Sequence, residues 1–358
     1  MKQIATILTC LLIITSCKNV ENNNTNVRKT IITGKILDYN YNETKIEVIN
    51  KNLCVDEKRY ILEIDSLGNF YYSFISNSKR DLRIMSNRAN FLILTYPGDS
   101  VHVELNSRDN QFWNQLKFRG DRTTENIHIT EFQKAFQDQS VSYGKINHQK
   151  TVLNENQFVQ FMDSVQNESM KIIDSFAKNN TLTDLELNWI KWYASEPYYY
   201  HLYWYPTENK IEVSPNYYNF QDNLLPLQKD DLLATYNIDL FIGEYFARSI
   251  KPKFFKNNQQ LIEKWKQDEN ISKKETRIGD SLMNETIIQY SKGEITKDLV
   301  LTYWYSAKIR NGYLKTFEYF EDLLMDEIST NFLKTSLLDY YRETKDKIQN
   351  PLTTAELV

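Results

Sequence analysis

Residues 96–105 carry the clearest structural signal in the chain and read Tyr96-Pro97-Gly98-Asp99-Ser100-Val101-His102-Val103-Glu104-Leu105. The first four place proline and glycine at the two central positions of a type II turn, where glycine adopts the positive φ that other residues avoid. The six that follow alternate between apolar and polar side chains, which is the period of a strand with one buried face. The segment therefore predicts a tight turn that leads into a half-buried antiparallel strand.

The same pattern of short strands separated by turns extends on both sides of this segment. The run Asp65-Ser66-Leu67-Gly68-Asn69 predicts a second turn, in which Gly68 adopts positive φ. Eight strands are predicted in all, at residues 30–37, 44–49, 59–64, 69–74, 82–85, 90–94, 100–105 and 116–119. Short strands with turns every 8–12 residues or so are typical of a β-sandwich. We place this sandwich at residues 30–122.

Beyond Gly120 the spacing of the apolar residues lengthens to three or four, as in Ile129, Phe132 and Phe136. This period indicates amphipathic helices. A long apolar stripe runs from residue 158 to 176, and further helices are predicted at 182–194, 239–246, 273–290, 296–309, 316–325 and 329–347. The predicted fold class is therefore α+β, an amino-terminal antiparallel β-sandwich followed by an all-helical domain at residues 123–350, with a tail at 351–358.

Proline should mark the breaks between these helices, because it lacks the N–H that a helix interior requires. We therefore predict that six prolines lie between helices: Pro197, Pro206, Pro215, Pro226, Pro252 and Pro351.

The amino terminus has the pattern of a bacterial lipoprotein signal. Lys2 is followed by an apolar stretch at residues 4–14, and the run Ile14-Thr15-Ser16 ends at Cys17. A basic end, a short apolar stretch and small residues at the cleavage point are typical of a secretory signal, and the stretch is too short to span a bilayer. We predict a signal peptide at residues 1–16, a lipid on Cys17 and a flexible tether over residues 17–29. The alternatives are an ordinary secretory signal with a chance cysteine and a protein that is not secreted.

Composition excludes several classes of function. Lys+Arg 43 against Asp+Glu 47, with neither sign gathered into a block, argues against nucleic acid as a partner. The nine glycines all lie far apart, so the sequence contains neither a glycine-rich phosphate-binding loop nor a GxSxG motif. With Cys17 lipidated and Cys10 removed, Cys54 remains as a lone thiol, for which we predict a structural place in or beside a strand. We predict no cofactor and no metal.

Single titratable residues give weaker signals. The four histidines never fall at the i, i+4 spacing of a helical zinc site, so each is interpreted as a surface or hydrogen-bonded residue. Acidic residues in both domains could be proposed as a calcium site, but none follows the EF-hand pattern, and a solvated acidic face is predicted instead; they are Glu43, Glu47, Asp56, Glu57, Asp230, Asp231 and Asp239. Glu186 and Glu196 could form the carboxylate pair of a glycosidase, a hypothesis that requires a fixed separation across a cleft.

The densest aromatic tract lies between residues 189 and 205. Aromatic rings there could stack on a sugar or bind a peptide, and the candidates are Tyr198, Tyr199, Tyr200, Tyr203, Trp204 and Tyr205. The same rings could instead pack in the core, which is the more common role of aromatic runs. For Trp189 and Trp192, whose spacing of three places them on one helix face, we predict a position in the core.

The order of several short motifs resembles a known family. The motifs are Ile32-Thr33-Gly34-Lys35-Ile36, Asp65-Ser66-Leu67-Gly68-Asn69-Phe70, Phe91 to Leu94, Pro97-Gly98-Asp99-Ser100-Val101, Phe118-Arg119-Gly120 and Glu125-Asn126. Together they resemble the amino-terminal region of TlpA-like thiol-disulfide oxidoreductase lipoproteins, and the tract 193–206 is similar to that family's helical segment. The resemblance implies a sandwich and a helical segment ahead of a thioredoxin domain, which would start near Pro351. No position here matches the family's WCxxC motif, so no catalytic residue is carried over.

We therefore predict a lipid-anchored protein of the cell envelope that acts as a non-catalytic binding or interaction module. Its anchor would be in the outer membrane, on the periplasmic or the surface face, and its partner an envelope protein, a peptide or a glycan. The alternative is a truncated or split component of a TlpA-like oxidoreductase whose thioredoxin domain is absent from this chain.

Overall fold

The computed structural model describes residues 28–41, 45–87, 89–106, 112–267 and 275–350. The predicted signal peptide, the lipid attachment point Cys17, most of the tether, Glu43 and the predicted tail lie outside these residues. The predicted α+β class is confirmed, because the described chain forms eight strands first and eleven α-helices after them. No helix of the described residues is long and apolar enough to cross a membrane.

Two four-stranded sheets form the sandwich. The strands are β1 (Arg28–Ile36), β2 (Ile46–Asn52), β3 (Asp56–Leu62), β4 (Asn69–Ser76), β5 (Arg80–Ser86), β6 (Ala89–Thr95), β7 (Ser100–Leu105) and β8 (Lys117–Gly120). One sheet has the order β4-β1-β7-β8 and the other has the order β3-β2-β5-β6. One pair departs from the antiparallel prediction, since β1 lies between β4 and β7 and runs parallel to β7.

The turn and strand at residues 96–105 form as the sequence predicts. Gly98 has a φ of 91° and Gly68 a φ of 84°, the left-handed values that glycine adopts without strain. Val101, Val103 and Leu105 are fully buried in the core between the two sheets, whereas His102 lies on the outer face and is hydrogen-bonded to Thr33. Burial of every second side chain therefore sets the register of this strand.

The helices follow directly from β8. They are α1 (Thr123–Gln139), α2 (Tyr143–Val152), α3 (Glu155–Asn179), α4 (Asp184–Asn209), α5 (Thr235–Tyr245), α6 (Lys251–Asn257), α7 (Gln259–Gln267), α8 (Thr276–Tyr290), α9 (Glu294–Arg310), α10 (Leu314–Glu327) and α11 (Asn331–Gln349). Helices α3 and α4 both begin with a capping box, in which Asn154 and Thr183 accept the orphan N–H groups of the first turn.

The prediction that prolines separate the helices is wrong for Pro197 and Pro206. Both lie inside α4, which the sequence predicted to end at residue 194 and which continues to Asn209. Pro206 cannot bond the carbonyl of Leu202, but the hydroxyl of Tyr217 donates to that oxygen at 2.7 Å instead. Most residues of α4 beyond 194 are buried, and this packing outweighs the missing hydrogen bonds. The prediction is also wrong for Pro252, which is the second residue of α6 and follows a π-helical segment, Phe246–Ile250, that continues directly from α5.

The sandwich and the helical domain are joined by the β2–β3 hairpin. Its tip, Leu53-Cys54-Val55, is at most 3% exposed, and Leu53 and Cys54 belong to the core of the helical domain. The Cys54 N–H donates to Asp239 Oδ1 at 2.9 Å, and Lys51 Nζ lies 3.1 Å from Asp239 Oδ2. Cys54 is thus a structural residue, and Asp239 holds this joint and does not lie on a solvated acidic face as predicted.

A second joint lies along β6, which is the edge strand of its sheet. The side-chain amide of Gln133 accepts from the Leu92 N–H at 3.0 Å and donates to the Leu92 carbonyl at 3.1 Å. Asn126, two turns earlier on α1, makes the same pair of bonds with Leu94. Both amides are buried, so α1 covers the edge and satisfies the backbone groups that another strand would bond.

A buried carboxylate forms a third joint. Asp81 on β5 accepts the indole N–H of Trp189 at 2.9 Å and the backbone N–H of Tyr236, at the start of α5, at 3.1 Å. Burial raises the pKa of this carboxyl to about 6, although the two donors and the charges of Lys51 and Arg83 act in the opposite direction.

Candidate ligand-binding cleft

A cleft of about 1180 Å³ lies between the sandwich and the helical domain. The wall from the sandwich includes Arg83 on β5, Asn90 on β6 and Trp113 in the turn before β8. The wall from the helical domain is formed by the end of α1, by α2, and by the middle of α4 and the start of α5. Its lining includes aromatic rings as well as charged and amide side chains, so it can hold a ligand with both apolar and polar groups.

Arg83 is the cation of the sandwich wall. It lies in the run Leu82-Arg83-Ile84, where its neighbours on either side are fully buried and its own side chain faces the helical domain. Its Nη1 donates to the hydroxyl of Tyr236 at 2.9 Å, and its guanidinium carbon lies 4.1 Å from the centre of that ring. The stacking holds the guanidinium in one place beside the cleft.

Glu196 and Tyr143 face each other across the helical wall. The hydroxyl of Tyr143, at the start of α2, donates to Glu196 Oε2 on α4. Burial raises the pKa of Glu196 even though the Tyr143 bond and the charge of Arg83 lower it. Burial and the neighbouring Glu196 charge both raise the pKa of Tyr143, so this phenol stays protonated as a donor.

Lys150 and His201 form a second polar group in the same wall. Lys150 Nζ lies 2.7 Å from Glu208 Oε2 and 3.4 Å from Nδ1 of His201, and the side chains of Lys150 and His201 are almost fully buried. Burial, together with the charge of Lys150, lowers the pKa of His201 to about 4, so its imidazole is neutral near pH 7. The other nitrogen, Nε2, has no hydrogen-bond partner among the described residues. His201 is therefore hydrogen-bonded, as interpreted from the sequence, but at only one of its two ring nitrogens.

The aromatic candidates divide into two groups. Tyr198, Tyr199, Tyr203 and Tyr205 are at most 2% exposed, in the core of the helical domain, and three of their hydroxyls bond to other elements. Tyr200 is half-buried and lines the cleft, and Trp204 packs against it with ring centres 6.1 Å apart. The prediction that Trp189 and Trp192 lie in the core is confirmed, since they are 0% and 6% exposed.

The two glutamates proposed as a pair lie in different places. Glu186 caps α4 through Thr183 and accepts from His128, with 2.7 Å between Nδ1 and Oε1, whereas Glu196 lines the cleft. The structure therefore does not bring them into one site. The acidic residues of the sandwich also have basic neighbours, since Glu57 lies 2.7 Å from Arg59 and 3.4 Å from Lys51. Within the described ranges no group of three or more His, Cys, Asp or Glu residues could hold a metal ion.

Sequence reasoning missed Arg83, Tyr143 and Lys150, which come from three separate segments. One local signal was present for Arg83, because a charged residue inside the apolar run of a predicted strand must find a polar environment on one face of the sheet. Tyr143 and Lys150 lie on a short helix whose sequence has no clear apolar stripe. Only the folded chain brings them to the same cavity as Arg83.

No protein-family model matches this chain, and the comparisons with curated proteins and with solved structures likewise find no match. The resemblance to TlpA-like oxidoreductase lipoproteins stays a prediction from the sequence.

Proposed function

We propose that this chain is a ligand-binding protein of the cell envelope, anchored through a lipid on Cys17, which takes a small molecule into the cleft between its two domains. The observation that carries the proposal is the cleft itself. Its volume of about 1180 Å³ is somewhat larger than the roughly 300–1,000 Å³ of typical small-molecule sites, so it has room for a small molecule together with ordered water. A ligand of that size would touch both domains at once.

The lining supports recognition of a ligand that is partly polar and partly flat. Half-exposed rings of Trp113 and Tyr200 offer apolar faces, and the amides of Asn90 and Asn147 offer donors and acceptors at the rim. Such rings supply a large contact area at little cost in conformational entropy, and amides adapt to many hydrogen-bond patterns. His201 Nε2 adds a buried polar atom that still lacks a partner.

Binding fits the cleft better than catalysis. The hydroxyls of Ser142 and Thr151 line it, but Ser142 caps α2 by accepting the Lys145 N–H, and Thr151 donates to the carbonyl of His148. Neither is hydrogen-bonded to His201, whose pKa of about 4 makes it a weak base. These contacts support a binding role for the cleft, because neither hydroxyl is paired with a base that would activate it as a nucleophile.

A matched pair of variants on α2 tests the cleft. Asn147 and His148 are both exposed, but only Asn147 lines the cavity. The full-length protein is screened by thermal shift and calorimetry against maltose, N-acetylglucosamine, glucuronate, benzoate and the dipeptide alanyl-phenylalanine. We expect Asn147→Trp to weaken the binding of any hit by more than about tenfold, which is ~1.4 kcal/mol, and His148→Trp to leave it unchanged. Equal effects of the two variants would place the ligand elsewhere.

The anchor is tested separately. We expect wild-type protein in the membrane fraction, and Cys17→Ala protein either in the soluble fraction or as an uncleaved precursor, because only a thiol at this position can take the diacylglycerol. Mass spectrometry of the wild type that finds an unmodified Cys17 within an intact signal would contradict the anchor and leave the cleft proposal standing.

A further inference from the structure

We propose that Arg83 is an anion-binding residue of the cleft and that the ligand carries an oxyanion, either a carboxylate or a phosphate. This inference rests on the proposed function, because it assigns a chemical class to the ligand of the same cavity.

The first argument is that Arg83 has no counterion within the described residues. No carboxylate there lies within 4.0 Å of its guanidinium, whereas Lys51, Lys150 and Arg248 each have a carboxylate within that distance. Its single hydrogen bond to a described residue is the one from Nη1 to Tyr236, a neutral acceptor. Its Nε is buried and has no hydrogen-bond partner among the described residues. A guanidinium carries five N–H groups in a planar fork, so most of these donors are left without a partner in the described part of the chain.

The second argument is that the nearby acids are committed elsewhere. The two carboxylate oxygens of Asp81 accept from Trp189 and from the backbone of Tyr236. Glu196 accepts from Tyr143. Both carboxyls have a pKa raised by burial, which makes them weaker counterions for a neighbouring cation.

The third argument is the contrast with Lys150, the other cation of the cleft. Lys150 has its own carboxylate in Glu208, at 2.7 Å. Of these two cations, only Arg83 has no ion-pair partner among the described residues. A half-buried cation has lost part of its hydration, so a bound oxyanion that accepts two of its N–H groups would restore both the charge balance and the hydrogen bonds.

Matched acid and neutral probes test the inference. Calorimetry at low ionic strength compares benzoate with benzamide, glucuronate with glucose, and phenyl phosphate with phenol, all on the full-length protein. We expect at least one acid to bind about tenfold more tightly than its neutral partner, and this preference to shrink with added salt. The first two pairs report a preference for carboxylate and the third a preference for phosphate.

Two substitutions connect the preference to the residue. Arg83→Gln should reduce the affinity for the acid to that of its neutral partner, while Arg342→Gln, an exposed arginine on α11, should leave the ratio unchanged. Arg83→Lys keeps the charge but loses the fork, so it should retain a smaller preference. If Arg83→Gln does not fold, the inference is tested by the ratio of acid affinity to neutral affinity in the wild type and by the same ratio in Arg83→Lys.

Three outcomes would overturn the inference. They are a wild-type protein that binds neutral probes as well as their acids, one that binds no acid at millimolar concentration, and an acid preference that survives in a folded Arg83→Gln. In each case binding of a neutral probe that is sensitive to Asn147→Trp would preserve the proposed function, whereas insensitivity of every hit to Asn147→Trp would remove that proposal as well.

Discussion

The side-chain amide of Asn126 bonds both backbone groups of Leu94, accepting from its N–H at 2.7 Å and donating to its carbonyl at 3.1 Å. Gln133 repeats the pattern at Leu92. These two amides take the place of a neighbouring strand along β6. They explain how the buried part of this edge strand satisfies the outward-facing backbone groups of Leu92 and Leu94.

Removing one of these amides should therefore be costly. Asn126→Ala would leave the N–H and the carbonyl of Leu94 buried and unpaired, and each such group costs about 1–3 kcal/mol. Urea unfolding of this variant should show a free energy of unfolding lower by at least about 2 kcal/mol. Glu131→Ala, an exposed residue of the same helix, is the control and should stay near the wild type. A loss in Asn126→Ala no larger than in the control would show that water satisfies Leu94.

The buried Asp81 should make stability depend on pH. Its pKa is about 6 in the folded protein against about 3.9 in an unfolded chain, so the folded state binds the proton more tightly. This contribution to stability is fully present below about pH 4 and is lost as the pH rises through about 6, by on the order of 3 kcal/mol.

Urea unfolding across this range, for wild type, Asp81→Asn and the exposed Asp174→Asn, isolates the effect. We expect the stability of the wild type relative to Asp81→Asn to fall with rising pH, and the curve for Asp174→Asn to run parallel to the wild type. A constant difference between wild type and Asp81→Asn would mean that Asp81 titrates as an ordinary carboxyl.

Trp189 combines packing with a hydrogen bond, and two substitutions separate them. Trp189→Phe keeps most of the ring but leaves Asp81 without its indole donor, for an expected loss of ~1–3 kcal/mol. Trp189→Ala also opens a cavity, for an expected loss of ~3–5 kcal/mol. Thermal melts measure both. Unchanged melting of Trp189→Ala would contradict the burial of this side chain.

Cys54 should be chemically inert in the folded protein. Burial, reinforced by the charge of Asp239, raises the pKa of its thiol, so little thiolate forms near neutral pH. Iodoacetamide labelling followed by peptide mass spectrometry should show modification of Cys54 more than about a hundredfold slower in buffer than in guanidinium. Equal rates would indicate an open hairpin tip.

The sandwich was predictable because its signals are local. The alternation at Val101, Val103 and Leu105 and the glycines at positions 68 and 98 specify strands and turns within a few residues of themselves. The parallel pairing of β1 with β7 was not predictable in this way, because it joins segments about seventy residues apart.

The length of α4 and the cleft depend on contacts between distant segments. Proline is a reliable break signal only when nothing else satisfies the freed carbonyl, and at Pro206 that substitute is the hydroxyl of Tyr217. The sequence included Tyr200 among six aromatic candidates but could not separate it from its buried neighbours, since all of them share one helix. The sequence pattern carries no information on which helix face meets the sandwich.

The buried tip of the β2–β3 hairpin has a consequence for how the cleft can move. Helix α5 holds this tip through Asp239, and the same helix lines the cleft with Tyr236, Asn237 and Leu240. Opening the two domains like a hinge would break that contact and expose Leu53 and Cys54 to water. We therefore expect the cleft to be preorganised, with its walls at nearly the same separation with and without a ligand and with only side chains at the rim becoming ordered on binding.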